Sequence, residues 1–253
     1  MDSAKESPLI FDASEFVLQP PPQISRARRI LIKPCAAYPK PYPISTSREM
    51  LATIISGIRA VSDADILLLE GAPGQEPVYH NYKTLGYDFP RVLTLDVKDC
   101  TWVEVDNPLE KPFAVTTFWV PNVILSSDYL ISVAPLKVLG GQASMSIMNL
   151  LTALPAAKYG DPGEDFKALY SLGIDRVLAD LYFTLPFDMG IIEARQKYTG
   201  SGDGTDGKTE YLGKIFAGDP FQADCEASKL LGLKAKYLDL IEEACGELRP
   251  RES

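Results

Sequence analysis

Three short apolar runs, Arg29 to Pro34 (RILIKP), Asp65 to Leu69 (DILLL) and Val92 to Val97 (VLTLDV), stand apart from one another, separated by stretches of helical character. Such runs read as strands buried on both faces, which is the signature of a parallel sheet covered by helices. Between the first two, Ser45, Thr46 and Ser47 offer helix N-caps, and Leu51, Ile54, Ile55 and Ile58 fall at helical spacing through Val61. A shorter helical stretch, Tyr79 to Leu85, precedes the third run. Strand, helix, strand, helix, strand calls for parallel pairing with right-handed crossovers. The predicted fold is α/β, a mostly parallel open sheet with helices on both faces.

Further along, Pro112 to Pro121 and Tyr129 to Ala134 are β-rich, and Gly140-Gly141 separates the latter from a predicted helix through Met145, Met148 and Leu151. An amphipathic helix is expected from Asp175 to Leu185, strands at Met189 to Ala194 and Lys214 to Gly218, and helices at Asp219 to Leu231 and Lys236 to Gly246. Pro20, Pro21 and Pro22 set residues 1–27 as an extended arm packed on the surface, ahead of a single α/β domain at 28–248 and a polar tail at 249–253. The arm could pack in cis or across a dimer, so an oligomer stays open. A chain of 253 residues buries enough surface to need no disulfides. Cys35, Cys100, Cys225 and Cys245 form no C-x-x-C pair, which predicts free thiols and argues against a zinc knuckle or a ferredoxin-type cluster.

Charge and hydropathy remove other classes. With a formal charge of −9 and no dense basic run, no nucleic-acid partner is expected. No run of 18 apolar residues suggests a membrane span. The opening residues MDSAKESPLI carry acidic side chains and no apolar stretch of a secretory leader, so the cytoplasm is the expected compartment. Neither a phosphate-binding Walker loop nor a G-x-G-x-x-G follows any predicted strand, and His80, the single histidine, has no nucleophile motif near it.

Ligands of open parallel sheets bind beyond the carboxyl ends of the strands. That rule gathers Lys33, Cys35, Glu70, Lys137, Glu193 and Asp219. Lysines beside carboxylates suit a small anionic molecule, a divalent metal held by the acids, or a proton transfer tuned by charge; Lys33, Glu70, Lys137 and Glu193 are the catalytic candidates, with structural ion pairing as the competing role. Cys35 offers a nucleophile or soft metal ligand against the commoner inert thiol. Ser45, Thr46 and Ser47 could hold phosphate or carboxylate at a helix start, or simply cap it. Asp219 reads as a cap, while Asp224, further along the same helix, could face a metal or substrate. Gly200 to Gly207 (GSGDGTDG) could wrap an anion through its backbone, but reads more naturally as a mobile loop.

Several segments in order resemble the domain of unknown function 362 family. Lys33-Pro34-Cys35 followed by Ser45-Thr46-Ser47 matches its first strand and helix start, and Glu70-Gly71 matches the end of its second strand. Ser127 to Lys137 (SDYLISVAPLK) matches its middle strand, and Glu193, the Gly-rich loop and Ala217-Gly218-Asp219-Pro220 through Asp224 to Leu230-Leu231-Gly232 match its last third. Where the family has Asn, Thr-His and Lys-Asn, this chain has Cys35, Val138-Leu139 and Met148-Asn149, so Asn149 is retained while a histidine and a lysine are absent. The resemblance implies the fold, and through Asn149 adds one substrate-binding candidate. Some family members carry a cysteine-rich ferredoxin-like segment that has no counterpart here, so no iron–sulfur cluster is expected. Two functions follow as expectations: an enzyme acting on a small anionic metabolite, or a non-catalytic binding or accessory protein that has lost the family's polar groups.

Overall fold

A computed structural model of the chain describes residues 9–72, 77–160, 166–185 and 187–248. In chain order the elements are β1 (Ile10–Asp12), β2 (Arg29–Lys33), α1 (Arg48–Arg59), β3 (Asp65–Glu70), α2 (Tyr79–Leu85), β4 (Val92–Asp96), β5 (Trp102–Asp106), β6 (Thr117–Pro121), α3 (Asn122–Leu125), β7 (Tyr129–Leu139), β8 (Gln142–Ser144), α4 (Lys167–Ser171), α5 (Ile174–Thr184), β9 (Met189–Gly200), β10 (Gly207–Gly218), α6 (Pro220–Leu231) and α7 (Lys236–Leu248). The main sheet runs β1-β10-β9-β7-β2-β3-β4, with β8 paired to the end of β7, and β5 and β6 form a separate antiparallel pair. Four neighbours, β9-β7, β7-β2, β2-β3 and β3-β4, are parallel. The sheet is mostly parallel with helices around it, an α/β fold.

Side-chain alternation along the parallel strands divides the core in two. Ile30, Ile32, Ile66, Leu68, Ile131 and Val133 face α1, whose Met50, Leu51, Ile54, Ile55 and Ile58 form one apolar stripe. Leu31, Leu67, Leu69 and Leu130 face the other way, toward Val177 and Leu181 of α5 and the 3-10 turn Met148–Ala153. Farther along that second face, Ile192 and Phe216 pack under α6 and α7. Residues 10–12 of the expected arm form β1 against β10, and Phe16, Leu18 and Ile24 are buried, so this stretch is part of the core; residues 1–8 and the tail at 249–253 lie outside the described residues.

Chain order along the sheet matters for the site. From β2 the chain moves outward through β3 to β4, then returns to β7 on the other side of β2 and moves outward again to β9. The order reverses between β2 and β7, which is where ligands of doubly wound sheets bind.

The structure departs from the sequence reading elsewhere as well. β9 and β10 are each 12 residues long and form an antiparallel hairpin, with Gly200 paired to Gly207, so the Gly-rich loop is its turn. The outer half of β10, Gly207 to Tyr211, is exposed, so no buried face marked it as strand. Trp102–Asp106 is a strand that no apolar run announced. In place of a helix through Met145 there is a turn, because the N–H groups of Ser146 and Ile147 donate to Asp224.

Candidate functional site

The four charged residues nominated as catalytic all act on one segment, Pro34 to Ser47, which crosses the carboxyl ends of β2, β7 and β9 before entering α1. Lys33 and Glu70 form an ion pair at 2.8 Å with both side chains fully buried. Lys33 Nζ also donates to Pro34 O at 2.8 Å and to Asn149 Oδ1 at 3.2 Å. Glu70 in turn accepts from the N–H groups of Ala36 at 2.6 Å and Gly71 at 2.9 Å. Every donor of the ammonium has a partner, and the carboxylate is met by three donors. A charge pair so enclosed holds its loop in place.

Glu193, also fully buried, closes the helix end. Its Oε2 accepts from Ser47 N at 2.9 Å, while Ser47 Oγ caps α1 by accepting from Met50 N at 3.0 Å. The anion position at the start of α1 is therefore filled from within. Arg195 binds Glu193, donates to Ser47 Oγ at 2.7 Å, pairs with Glu49 at 2.6 Å, and lies over the Tyr42 ring at 5.4 Å. Arg195 was missed, although a residue two along a strand from Glu193 shares its side of the sheet and could have been found by that spacing. Burial lifts the Tyr42 hydroxyl well above its ordinary value, so it stays protonated. Ser45 donates to Tyr38 O at 3.0 Å, and Thr46 ties the segment down, donating to Val133 O at 2.7 Å and accepting from Cys35 N at 2.8 Å.

Lys137 is different. Its Nζ lies 3.2 Å from Cys35 Sγ and 3.1 Å from Ile44 O, and the residue is 6 % exposed. Among the described residues no carboxylate comes within 4.0 Å of it. Cys35 is half-buried and, like the other three cysteines, carries no disulfide. This cation and thiol straddle β2 and β7 at the point where strand order reverses.

Asp219 and Asp224 lie apart from the segment. Asp219 caps α6 through Gln222 N at 3.1 Å, and Gly232, with φ of 60°, closes that helix in the left-handed conformation glycine favours. Asp224 is fully buried and accepts from Ser146 N (2.9 Å), Ser146 Oγ (2.5 Å), Ile147 N (3.1 Å) and Tyr237 Oη (2.8 Å). Burial pushes its carboxyl up to about 6 against those bonds. Gly190 makes room for this cluster, since a Cβ there would sit 2.5 Å from Ser146 Oγ and 2.9 Å from Pro220 Cα. Asn149 Nδ2 donates to Ser132 Oγ (3.1 Å), which donates to Ser146 O (2.8 Å). A buried hydrogen-bond chain thus runs from Glu70 through Lys33, Asn149, Ser132 and Ser146 to Asp224 and Tyr237.

Among the described residues, no three His, Cys, Asp or Glu side chains gather as a metal-ligand set. Nor is any described helix long and apolar enough to cross a membrane. A family model described as Domain of unknown function (DUF362) matches residues 30–229. No curated protein matches the chain. Among solved structures, the lactate racemase apoprotein from Thermoanaerobacterium thermosaccharolyticum is similar in fold, with a TM-score of 0.54 at 14% identity over 86% of this chain. The chain spans about half of that protein, 53% of its length.

Proposed function

Taking as premise that this chain belongs to the DUF362 family, whose model covers most of it, we propose that it binds a small organic anion at the switch point between β2 and β7 and acts on it as an enzyme. The observation that carries this reading is Lys137: an almost fully buried ammonium with a sulfur and a carbonyl as its partners and no carboxylate within reach among the described residues. Burying a cation without a counter-charge is costly, and an anion arriving from solution would offset that cost. Cys35 stands beside it as the group a bound ligand would meet next. Lys33, Glu70 and Glu193 are positioning residues in this scheme, since their charges are spent on holding Pro34 to Ser47. The neighbour of similar fold is named for lactate, a small hydroxycarboxylate, which makes carboxylates of that size the first class to try.

A second reading, a binding protein without catalysis, is favoured by the closure of the Lys33–Glu70 pair, which leaves that acid and base without a free proton site. One experiment addresses both. Thermal shift of the full chain against lactate, other small carboxylates and inorganic phosphate should give stabilisation by at least one of them, because a ligand at 100 times its Kd adds about 2.7 kcal/mol. Lys137→Met should abolish that shift. Prolonged incubation with the stabilising anion, followed by NMR and chiral chromatography, then separates the readings: conversion supports an enzyme, and binding without conversion supports the accessory role. No stabilisation by any anion removes the site altogether.

A further inference from the structure

At the opposite ends of the same strands lies a second feature, unrelated to the switch point. A groove of about 740 Å³ opens beside the amino ends of β2, β3 and β4, with α3 as its far wall. Such a volume falls within the usual range of small-molecule sites. Its floor is apolar, formed by Leu67, Leu93 and Leu95, and Leu93 is 57% exposed although it lies on the same side of the sheet as buried Leu67. Three arginines, Arg29, Arg59 and Arg91, line the groove against one carboxylate, Asp65. Asp63, beside Arg91, and Asp128, which accepts from Arg28 N at 2.8 Å and Arg29 N at 3.0 Å, stand at the same edge outside the lining.

Two of the three guanidiniums are held by neutral acceptors. Arg59 donates to Ala64 O at 2.5 Å and to Arg91 O at 2.9 Å, both of them carbonyls. Arg29 donates to Ser126 Oγ at 3.1 Å. Neither has a carboxylate within 4.0 Å among the described residues. Among the described residues, Arg91 pairs at 3.2 Å with Asp63, itself 92% exposed, a contact of little energetic weight. Burial first, and then the like charge of Arg91, lower the Arg59 guanidinium from its ordinary value against the opposing pull of Asp63 and Asp65, and an anion between the two arginines would add to that pull. The backbone of Arg91 is left-handed, with φ of 58°, a conformation unfavourable for an L-residue, and from there its carbonyl fixes Arg59.

We propose that this groove is a binding site for a small amphiphilic anion, a carboxylate or phosphate head carried on an apolar body. The fixed guanidiniums take the head, for which their planar donors are suited, and Leu67, Leu93 and Leu95 take the body. The test is calorimetric titration of the full chain with octanoate and with octyl phosphate, alongside acetate, inorganic phosphate and 1-octanol. Saturable one-to-one binding is expected for at least one octyl anion. The bare anions and the alcohol should bind at least about tenfold more weakly, since each lacks one half of the match. Leu93→Asp, at a position 57% exposed, and Arg59→Gln, each checked for an unchanged fold by circular dichroism, should each weaken the octyl anion by about tenfold or more. Lys137→Met should leave it unaltered, which separates this site from the switch point. Equal binding of octanol, undiminished binding by Leu93→Asp, or no binding of either octyl anion would overturn the proposal, the last in favour of a groove that a macromolecular partner covers.

Discussion

At the carboxyl ends of β2 and β3 and within β9, Lys33, Glu70 and Glu193 are fully buried, and each meets its partners inside the chain. Along the amino ends of β2, β3 and β4, Arg29 and Arg59 are only partly covered and touch carbonyls and a hydroxyl instead of carboxylates. The same sheet therefore meets buried charge with charge at one end and leaves Arg29 and Arg59 on neutral acceptors at the other, with Lys137 as the exception at the closed end. A charged residue at a strand terminus is equally conspicuous in sequence whichever end it occupies. What distinguishes a strut from a ligand-binding group is whether its hydrogen-bonding capacity is already used. That distinction can be broken or sharpened by measurement.

The largest effect is expected at the closed end. Glu70→Ala leaves the Lys33 ammonium buried without its counter-charge and orphans the N–H groups of Ala36 and Gly71, so a loss of about 3–5 kcal/mol is expected in equilibrium denaturation. Lys33→Met combined with Glu70→Gln should cost less than the sum of the single changes, because the second removes a charge the first has stranded. A Glu70→Ala loss below about 1 kcal/mol would mean that the pair is not what fastens Pro34 to Ser47.

Asp224 extends the closed network to α6 and gives it a pH signature. Its carboxyl is raised by burial to about 6 from an ordinary value of 3.8, so the folded state holds the proton more tightly than the unfolded one. The associated stability is present below about pH 4 and is lost as pH rises toward 6, amounting to about 3 kcal/mol in all. Stability measured from pH 4 to 6.5 should show a decline in the wild type that is missing in Asp224→Asn, whose own baseline is lower because one of the four donors loses its acceptor. Parallel curves for the two proteins would show that Asp224 titrates as an ordinary carboxyl. Smaller again is Arg195→Met, expected to cost about 2 kcal/mol, because Glu193 keeps its bond from Ser47 N while losing a partner exposed on one side.

Much of the frame was legible along the chain. Ile30, Leu31 and Ile32 are apolar on consecutive positions because helices cover both faces of β2, and the stripe Leu51, Ile54, Ile55, Ile58 is spaced by the helix that covers one of them. Asp219 before Pro220 marks a helix start by chemistry alone. The hairpin beyond Tyr198 was illegible because its outer half has no core to face. At the site, sequence brought Lys33, Glu70, Lys137 and Glu193 to one segment but could not say which charges were taken. Lys33 depends on Asn149, 116 positions away, and Asp224 on Ser146, 78 away, and no local pattern encodes such pairings.

The smallest expected effect is the most discriminating one. Lys137→Met strands no carboxylate, since none lies within 4.0 Å among the described residues, and the methionine can fill the space of the aliphatic stem. What is lost is one bond to Ile44 O and a contact with Cys35 Sγ, in return for removing a buried charge. Stability should change by less than about 1 kcal/mol in equilibrium denaturation, several-fold below Glu70→Ala at the same end of the sheet. A loss of about 3 kcal/mol would put Lys137 with Lys33, as a cation whose charge the fold itself requires. A near-neutral result would mean that the fold does not need this ammonium, as the proposal of an anion bound between β2 and β7 requires.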